Sequence, residues 1–181
     1  AKEREPTREL VAARDIARTA IRTLKKKAED SQIRLEADLS QDVGECELDV
    51  RSFQAALINI LENALDACRV DHRKAEHMVR LRLFADAEDA AFEIEDNGIG
   101  MDRETREKMF SLFFSSKGTE GTGLGLFTAN KVVEKHHGRI DVESRPGEGT
   151  RFTVRIPRVN RAPATTEAPA NLSSNPADPP S

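Results

Sequence analysis

Tryptophan and tyrosine are both absent from these 181 residues, which leaves eight phenylalanines as the only aromatics for packing. Cysteine is scarce too. Cys46 and Cys68 lie far apart with no Cys-x-x-Cys or Cys/His spacing, which argues against a thiolate metal site. Inert thiols in a reducing cytoplasm are the expectation. No apolar run approaches the roughly 20 residues that span a bilayer, and no signal peptide is evident. Nor is charge of one sign in excess: 33% of residues are charged but the net charge is −4, so no basic field invites nucleic acid. The chain begins with Ala1 rather than Met, which suggests a piece of a longer protein.

What is present fits one domain with a proper core plus extensions. Ile16, Ala17, Ala20, Ile21, Leu24 and Ala28 recur at helical spacing; Leu10 and Val11 suit either an extension of that helix or a short edge strand. Ile33, Leu35 and Ala37 alternate with charged residues, as do Cys46, Leu48 and Val50, so two strands are expected. A long helix follows from Arg51 to about Val70, with Phe53, Ala56, Leu57, Ile60, Leu61, Ala64 and Cys68 on one stripe. Val79, Leu81 and Leu83 alternate with Arg80 and Arg82, then Phe92 and Ile94 with Glu93 and Glu95, which predicts an antiparallel hairpin with one wet face. Asp102 suits the N-cap of a short helix, and Gly138 the C-cap of a later one. A last hairpin turns at Pro146–Gly149. Beyond Arg158 the composition shifts to Ala, Pro, Ser and Thr and holds five of the eight prolines, which predicts a disordered tail or linker. The expected division is a lead-in helix over residues 1–30, a domain over 31–158 and a tail over 159–181. The fold class expected is an α/β two-layer sandwich, a mixed and largely antiparallel sheet with helices on one face.

Three groups of residues could carry chemistry. On the long helix Asn59, Asn63 and Asp66 lie within about 60° of one another at the border of the apolar stripe. Amide oxygens there suit Mg²⁺, which takes few protein ligands plus phosphate oxygens; the alternative is a pair of asparagines capping nearby backbone. Asp96-Asn97-Gly98-Ile99-Gly100 closes a strand. Its aspartate could accept from an exocyclic amine while the glycines admit a flat base, or the run could be an ordinary Asx turn. Gly121-Thr122-Gly123-Leu124-Gly125-Leu126 opens a helix whose free N–H groups suit phosphate. Neither the P-loop nor the dinucleotide fingerprint has this spacing. Lys117 could reach a phosphate, Gly118 beside it is a further candidate ligand contact, and Thr119, Glu120 and Thr122 suit a loop that closes on ligand. The four histidines form no nucleophile constellation with Cys or Ser; His136 and His137 are read as meeting a helix dipole.

In order and spacing these motifs resemble the ATP-binding catalytic domain of bacterial sensor histidine kinases, in the superfamily shared with DNA gyrase, MutL and the ninety-kilodalton heat-shock chaperone. The likeness covers roughly Ile33 to Pro157. Asn59-Ile-Leu-Glu-Asn63 looks like the N box, which implies Mg²⁺ on Asn63 with Asn59 supporting it. Asp96-Asn-Gly98-Ile-Gly100 resembles the first glycine box, whose Asp reads the adenine amine. Phe110-Ser-Leu-Phe-Phe-Ser-Ser-Lys117 resembles the F box of the ATP lid. Gly121 to Leu126 resembles the second glycine box, and Gly147-Glu-Gly149-Thr150 the last glycine motif, with Thr150 near the base. The resemblance implies three helices backing the sheet, ATP and Mg²⁺ as ligands, and a histidine on a separate dimerisation domain as acceptor. A response regulator would be the next carrier. It also implies a cytoplasmic location, free or as the inner part of a membrane-bound receptor, with no membrane contact by this fragment. Two features depart from the pattern. Asp66-Ala67 stands where many members carry Lys-Tyr, so phosphate charge falls to Mg²⁺, Lys117, loop amides, Arg69 or Arg73. The phosphoacceptor motif, a His followed by an acidic residue, is missing. Alternatives of the same fold are a gyrase-like ATPase, an anti-sigma-type serine kinase and a non-catalytic nucleotide module. Asn59 cannot act as the general base that the ATPase needs.

Overall fold

The computed structural model describes residues 7–111 and 124–159. Along the chain these form β1 (Glu9–Ala12), α1 (Ala13–Asp30), β2 (Ile33–Asp38), β3 (Glu45–Leu48), α2 (Val50–Arg69), β4 (His77–Asp86), β5 (Asp89–Asp96), α3 (Arg103–Lys108), α4 (Leu124–Lys135), β6 (Arg139–Arg145) and β7 (Gly149–Pro157). Among the described residues the main sheet has five strands in the order β2-β4-β5-β7-β6. Only the β2–β4 pair is parallel. That pair needs a crossover, which β3 and α2 supply.

Strand alternation decides which side chains meet the helices. Val79, Leu81 and Leu83 of β4, Phe92 and Ile94 of β5, and Phe152, Val154 and Ile156 of β7 are all buried on the inner face. Against them lie α1 through Ile16, Ala20 and Leu24, α2 through Phe53, Leu57, Ile60 and Leu61, and α4 through Ala129 and Val133. Phe53 meets Phe92 with ring centroids 5.5 Å apart. The expected two-layer sandwich is thus the observed one. The outer face is a self-pairing ladder: Arg82 donates to Glu93 at 3.0 Å, Arg151 to Glu95 and Glu143 at 3.2 Å each, and Arg155 to Asp86 at 2.8 Å and to Asp141. Charges so paired hold the wet face in water without inviting a second layer.

Local chemistry sets the element ends. Asp49 caps α2 by accepting from the Ser52 N–H at 3.2 Å, and Asp102 caps α3 by accepting from the Thr105 N–H at 2.7 Å. Leu10 and Val11 resolve as a strand: β1 pairs antiparallel with β3 in a small second sheet that sequence reading did not foresee as a unit. The end of α4 differs from expectation. The left-handed residue is His137, with φ of 61°, and not Gly138. A Cβ on Gly138 would lie 2.2 Å from the Arg155 carbonyl oxygen, so this glycine serves close approach of the chain to β7. His136 meets the end of α4 as a buried residue: its Nδ1 lies 2.8 Å from the Val132 carbonyl oxygen, and its Nε2 accepts from the Asp49 N–H. No helix among the described residues is long and apolar enough to cross a membrane.

Candidate functional site

Asp96 continues the inner-face alternation of Phe92 and Ile94, so a carboxylate ends a row of core residues. Thr150 stands opposite it in register on β7 and is equally buried. One Asp96 oxygen, Oδ1, accepts from the Gly98 N–H at 2.8 Å, the Asx turn read from sequence. The other, Oδ2, is buried with no hydrogen-bond partner among the described residues. Burial pushes this carboxyl up to about 7, against the weaker pull of the Gly98 and Thr150 backbone N–H groups. A buried acceptor left open in a native protein calls for a donor from elsewhere.

Three glycines hold this turn where no side chain fits. A Cβ on Gly98 would lie 2.4 Å from the Ala67 carbonyl of α2. On Gly100, with φ of +66°, it would lie 1.9 Å from the Arg145 carbonyl oxygen, and on Gly149, with φ of +117°, 2.0 Å from the Asp96 carbonyl oxygen. The turn is therefore pressed between the end of α2 and the β6–β7 turn. Backbone bonds fix it: the Ile99 N–H donates to the Ala67 oxygen at 3.1 Å and the Gly147 N–H to the Ile99 oxygen at 2.7 Å. Ile99 itself is left partly exposed.

Two supports escaped the sequence reading. Ser144 accepts from the Met101 N–H at 2.8 Å and bonds the Thr150 hydroxyl at 2.8 Å, which locks Thr150 beside Asp96. Asp71, buried just past α2, bonds His77 at 2.9 Å and accepts from Lys74 at 2.9 Å, while the Lys74 ammonium also donates to the Gly98 oxygen at 3.1 Å. The His77 and Lys74 bonds hold the Asp71 carboxyl far below the usual carboxylate range. Each group reaches the Asp96 turn from elsewhere in the sequence, Ser144 at Met101 and Lys74 at Gly98, and no local period announces those bonds.

Across the cleft α2 presents Asn59, Asn63 and Asp66 at half-buried positions. Gly125, in the first turn of α4, faces Asn59: a Cβ there would sit 3.8 Å from the Asn59 Cγ, ordinary contact. The fold thus brings the α2 asparagines and the start of α4 together. Asp66 accepts from Arg69 at 2.7 Å, so that guanidinium is already engaged, and Arg73 lies against Gly147. Leu126 packs against the core. Lys117, Gly118, Thr119, Gly121, Thr122, Gly123 and the F box beyond Ser111 lie outside the described residues, as does the Leu124 side chain. A polar cleft of about 470 Å³ opens beside Asp96 and Thr150, but no α2 residue lines it; its walls are Arg106, Ser144 and the β6–β7 turn.

The residues present fit an adenine nucleotide in two respects: one orphaned buried acceptor on Asp96, and the amides of Asn59 and Asn63 on α2. No cluster of three His, Cys, Asp or Glu side chains among the described residues could hold a metal by itself. A Mg²⁺ ion here would need phosphate oxygens and water beside the asparagine oxygens.

This arrangement, an antiparallel sheet ending in a buried acid with an asparagine-bearing helix opposite, defines a class of nucleotide-binding sandwiches. The sequence over residues 48–160 matches the family described as histidine kinase-, DNA gyrase B-, and HSP90-like ATPase, and the chain belongs to that family. Its curated relatives are sensor kinases. It is 35% identical over 157 residues to the circadian input-output histidine kinase CikA of Synechocystis, covering 83% of this chain and 20% of that one. It is 32% identical over 164 residues to the sensor histidine kinase MtrB of Mycobacterium tuberculosis, covering 87% and 28%. The chain therefore spans well under a third of these relatives. Among solved structures, the catalytic domain of histidine kinase ThkA superposes with a TM-score of 0.73 at 24% identity, over 84% of this chain and 96% of that one. The mycobacterial sensor histidine kinase MprB gives 0.70 at 25% identity, over 84% and 98%. Fold and family together make this the catalytic ATPase domain type of sensor histidine kinases.

Proposed function

We propose that the chain binds ATP with Mg²⁺ and donates the γ-phosphate to a histidine on a separate dimerisation domain, for relay to a response regulator. The open, buried Asp96 Oδ2 carries the reading: an adenine exocyclic amine is a donor of the kind that oxygen lacks. Thr150, Gly98, Ile99 and Gly100 would line the base. Asn63, with Asn59, would orient the metal and its waters, and Asp66 would border the sugar. Gly121, Thr122, Gly123, Leu124, Gly125 and Leu126, with Lys117, Gly118 and Thr119, would close over the phosphates. The unit doing this is residues 31–158, with the α1 lead-in as support.

Mg²⁺, when bound, would neutralise charge on the phosphates. The protein's own part is positioning: Asp96 fixes the base, α2 fixes the metal side, and the α4 N-terminus presents N–H groups to the phosphates. The Asn59 amide is not basic enough to take a proton from water, so activation of water is weak and transfer to an incoming imidazole is favoured over hydrolysis. The acceptor imidazole must come from outside, because no histidine in this chain carries the phosphoacceptor motif. The CikA and MtrB relatives, both named as histidine kinases, support this over a serine kinase. A cytoplasmic location agrees with the buried free thiols, Cys68 being pushed up to about 12 by burial. The test is labelled ATP with candidate dimerisation domains added in trans. Acid-labile label on histidine is expected; acid-stable label on serine would contradict the proposal.

A further inference from the structure

α2 and α4 pack against each other extensively, and two of their contacts bear on the site. At one end Gly125 faces Asn59. At the other, the His136 ring just past α4 meets Asp49, the residue that caps α2. Ten residues separate Asn59 from Asp49 and eleven separate Gly125 from His136, so the two contacts stand about 15 Å apart along antiparallel helices.

The Asp49 contact has a specific cause. An N-cap residue's own N–H is usually satisfied by a Glu or Gln three residues on, reaching back. Here that position is Ser52, whose hydroxyl donates to the Asp49 carbonyl at 3.3 Å instead. The Asp49 N–H goes to Nε2 of His136 at 3.0 Å, and the contact is buried. Nδ1 lies 2.8 Å from the Val132 carbonyl oxygen, which can only accept. The ring is therefore the neutral Nδ1–H tautomer, clamped between the last turn of α4 and the first of α2. Its edge also packs on Phe53, centroids 5.6 Å apart. The incoming chain reaches the same joint: the Thr7 N–H donates to Asp49 Oδ2 at 3.0 Å, and Arg8 donates to the Lys135 carbonyl.

We propose that His136 is a positioning residue: it completes the cap of α2 from α4, and so fixes how closely the N-terminus of α4 approaches Asn59 at the phosphate end of the cleft. Asp96 and the glycine floor are built from the sheet and the end of α2, and they do not depend on this joint. Losing the joint lets α4 tilt about its buried Ala129 and Val133, which moves the phosphate end and spares the base end.

The inference rests on the nucleotide reading given above, and one set of titrations separates the two. Adenosine probes the base end; the non-hydrolysable triphosphate AMPPNP with Mg²⁺ probes both ends. In His136→Phe the ring packing stays while both hydrogen bonds go. In His136→Asn the side-chain amide still donates to Val132 but does not reach Asp49. Both variants should bind Mg²⁺–AMPPNP about tenfold more weakly and adenosine within twofold of the parent. His136→Gln, whose amide oxygen reaches Asp49, should restore most of the triphosphate affinity. Equal losses for both ligands, or an unchanged Mg²⁺–AMPPNP affinity in a folded variant, would overturn the role of His136. If His136→Phe does not fold, the Asn and Gln pair decides alone. A parent protein that binds neither ligand would instead sink the nucleotide reading.

Discussion

Asp96 shows how a single side chain can be legible in one respect and hidden in another. Its place at a strand end beside two glycines was plain in the sequence. That alternation would seat it on the core face with one oxygen open needed the structure, because burial of a strand end depends on what packs over it. The energetic consequence has a definite sign. A carboxyl raised to about 7 by burial adds stability while protonated, and loses it as the pH climbs from the ordinary carboxylate range through 7. The ligand-free protein is therefore penalised at pH 8, and Asp96→Asn should raise its melting temperature there while abolishing adenosine binding. An amine donor favours the ionised carboxylate, so adenosine binding should release a proton near pH 6.5. Calorimetry in two buffers of different ionisation enthalpy should show roughly three-quarters of a proton released, and identical heats in both buffers would contradict this.

At the level of elements, the glycines divide into those that answer a turn and those that answer a neighbour. Gly147 has φ of +77° and meets only the flexible tip of Arg73, so Gly147→Ala should cost roughly 1 kcal/mol of conformational strain. Gly149 has both a positive φ and backbone in the way, and Gly149→Ala should cost about 3 kcal/mol or more and displace Asp96. Urea denaturation of both variants checks the contrast; equal costs would mean that the close approach to Asp96 is not what Gly149 serves. Sequence reading took the Gly147–Gly149 run for a hairpin turn, which it is. Its second duty arises from a partner some fifty residues earlier, and no local pattern encodes that. The longer helices and the five main strands were legible because each carries a period of 3.6 or 2, and α3 through its Asp102 cap. The β1–β3 pair, the Lys74–Gly98 bond and the His136 joint were not, since each joins parts of the chain far apart in sequence.

For the whole molecule, α1 is more than a lead-in: Ala13, Ile16, Ala17, Ala20, Leu24 and Ala28 are walls of the same core as the sheet. That core is complete without a ligand, and the proposed nucleotide site lies at its edge, among Asp96, α2 and the start of α4. Such a layout separates stability from binding, so site variants on α2 should fold normally. Asn63→Ala in particular should keep its melting temperature within a few degrees and still bind adenosine, while losing the Mg²⁺-dependent part of its affinity for the triphosphate. A melting temperature that falls steeply would make Asn63 a structural cap instead.

Calorimetric titration of AMPPNP into the parent chain and Asp96→Asn, with and without Mg²⁺, tests the nucleotide site itself. Saturable binding by the parent, strengthened by Mg²⁺ and lost in Asp96→Asn, is the result predicted. Equal binding by the two proteins, or none by the parent, would contradict it.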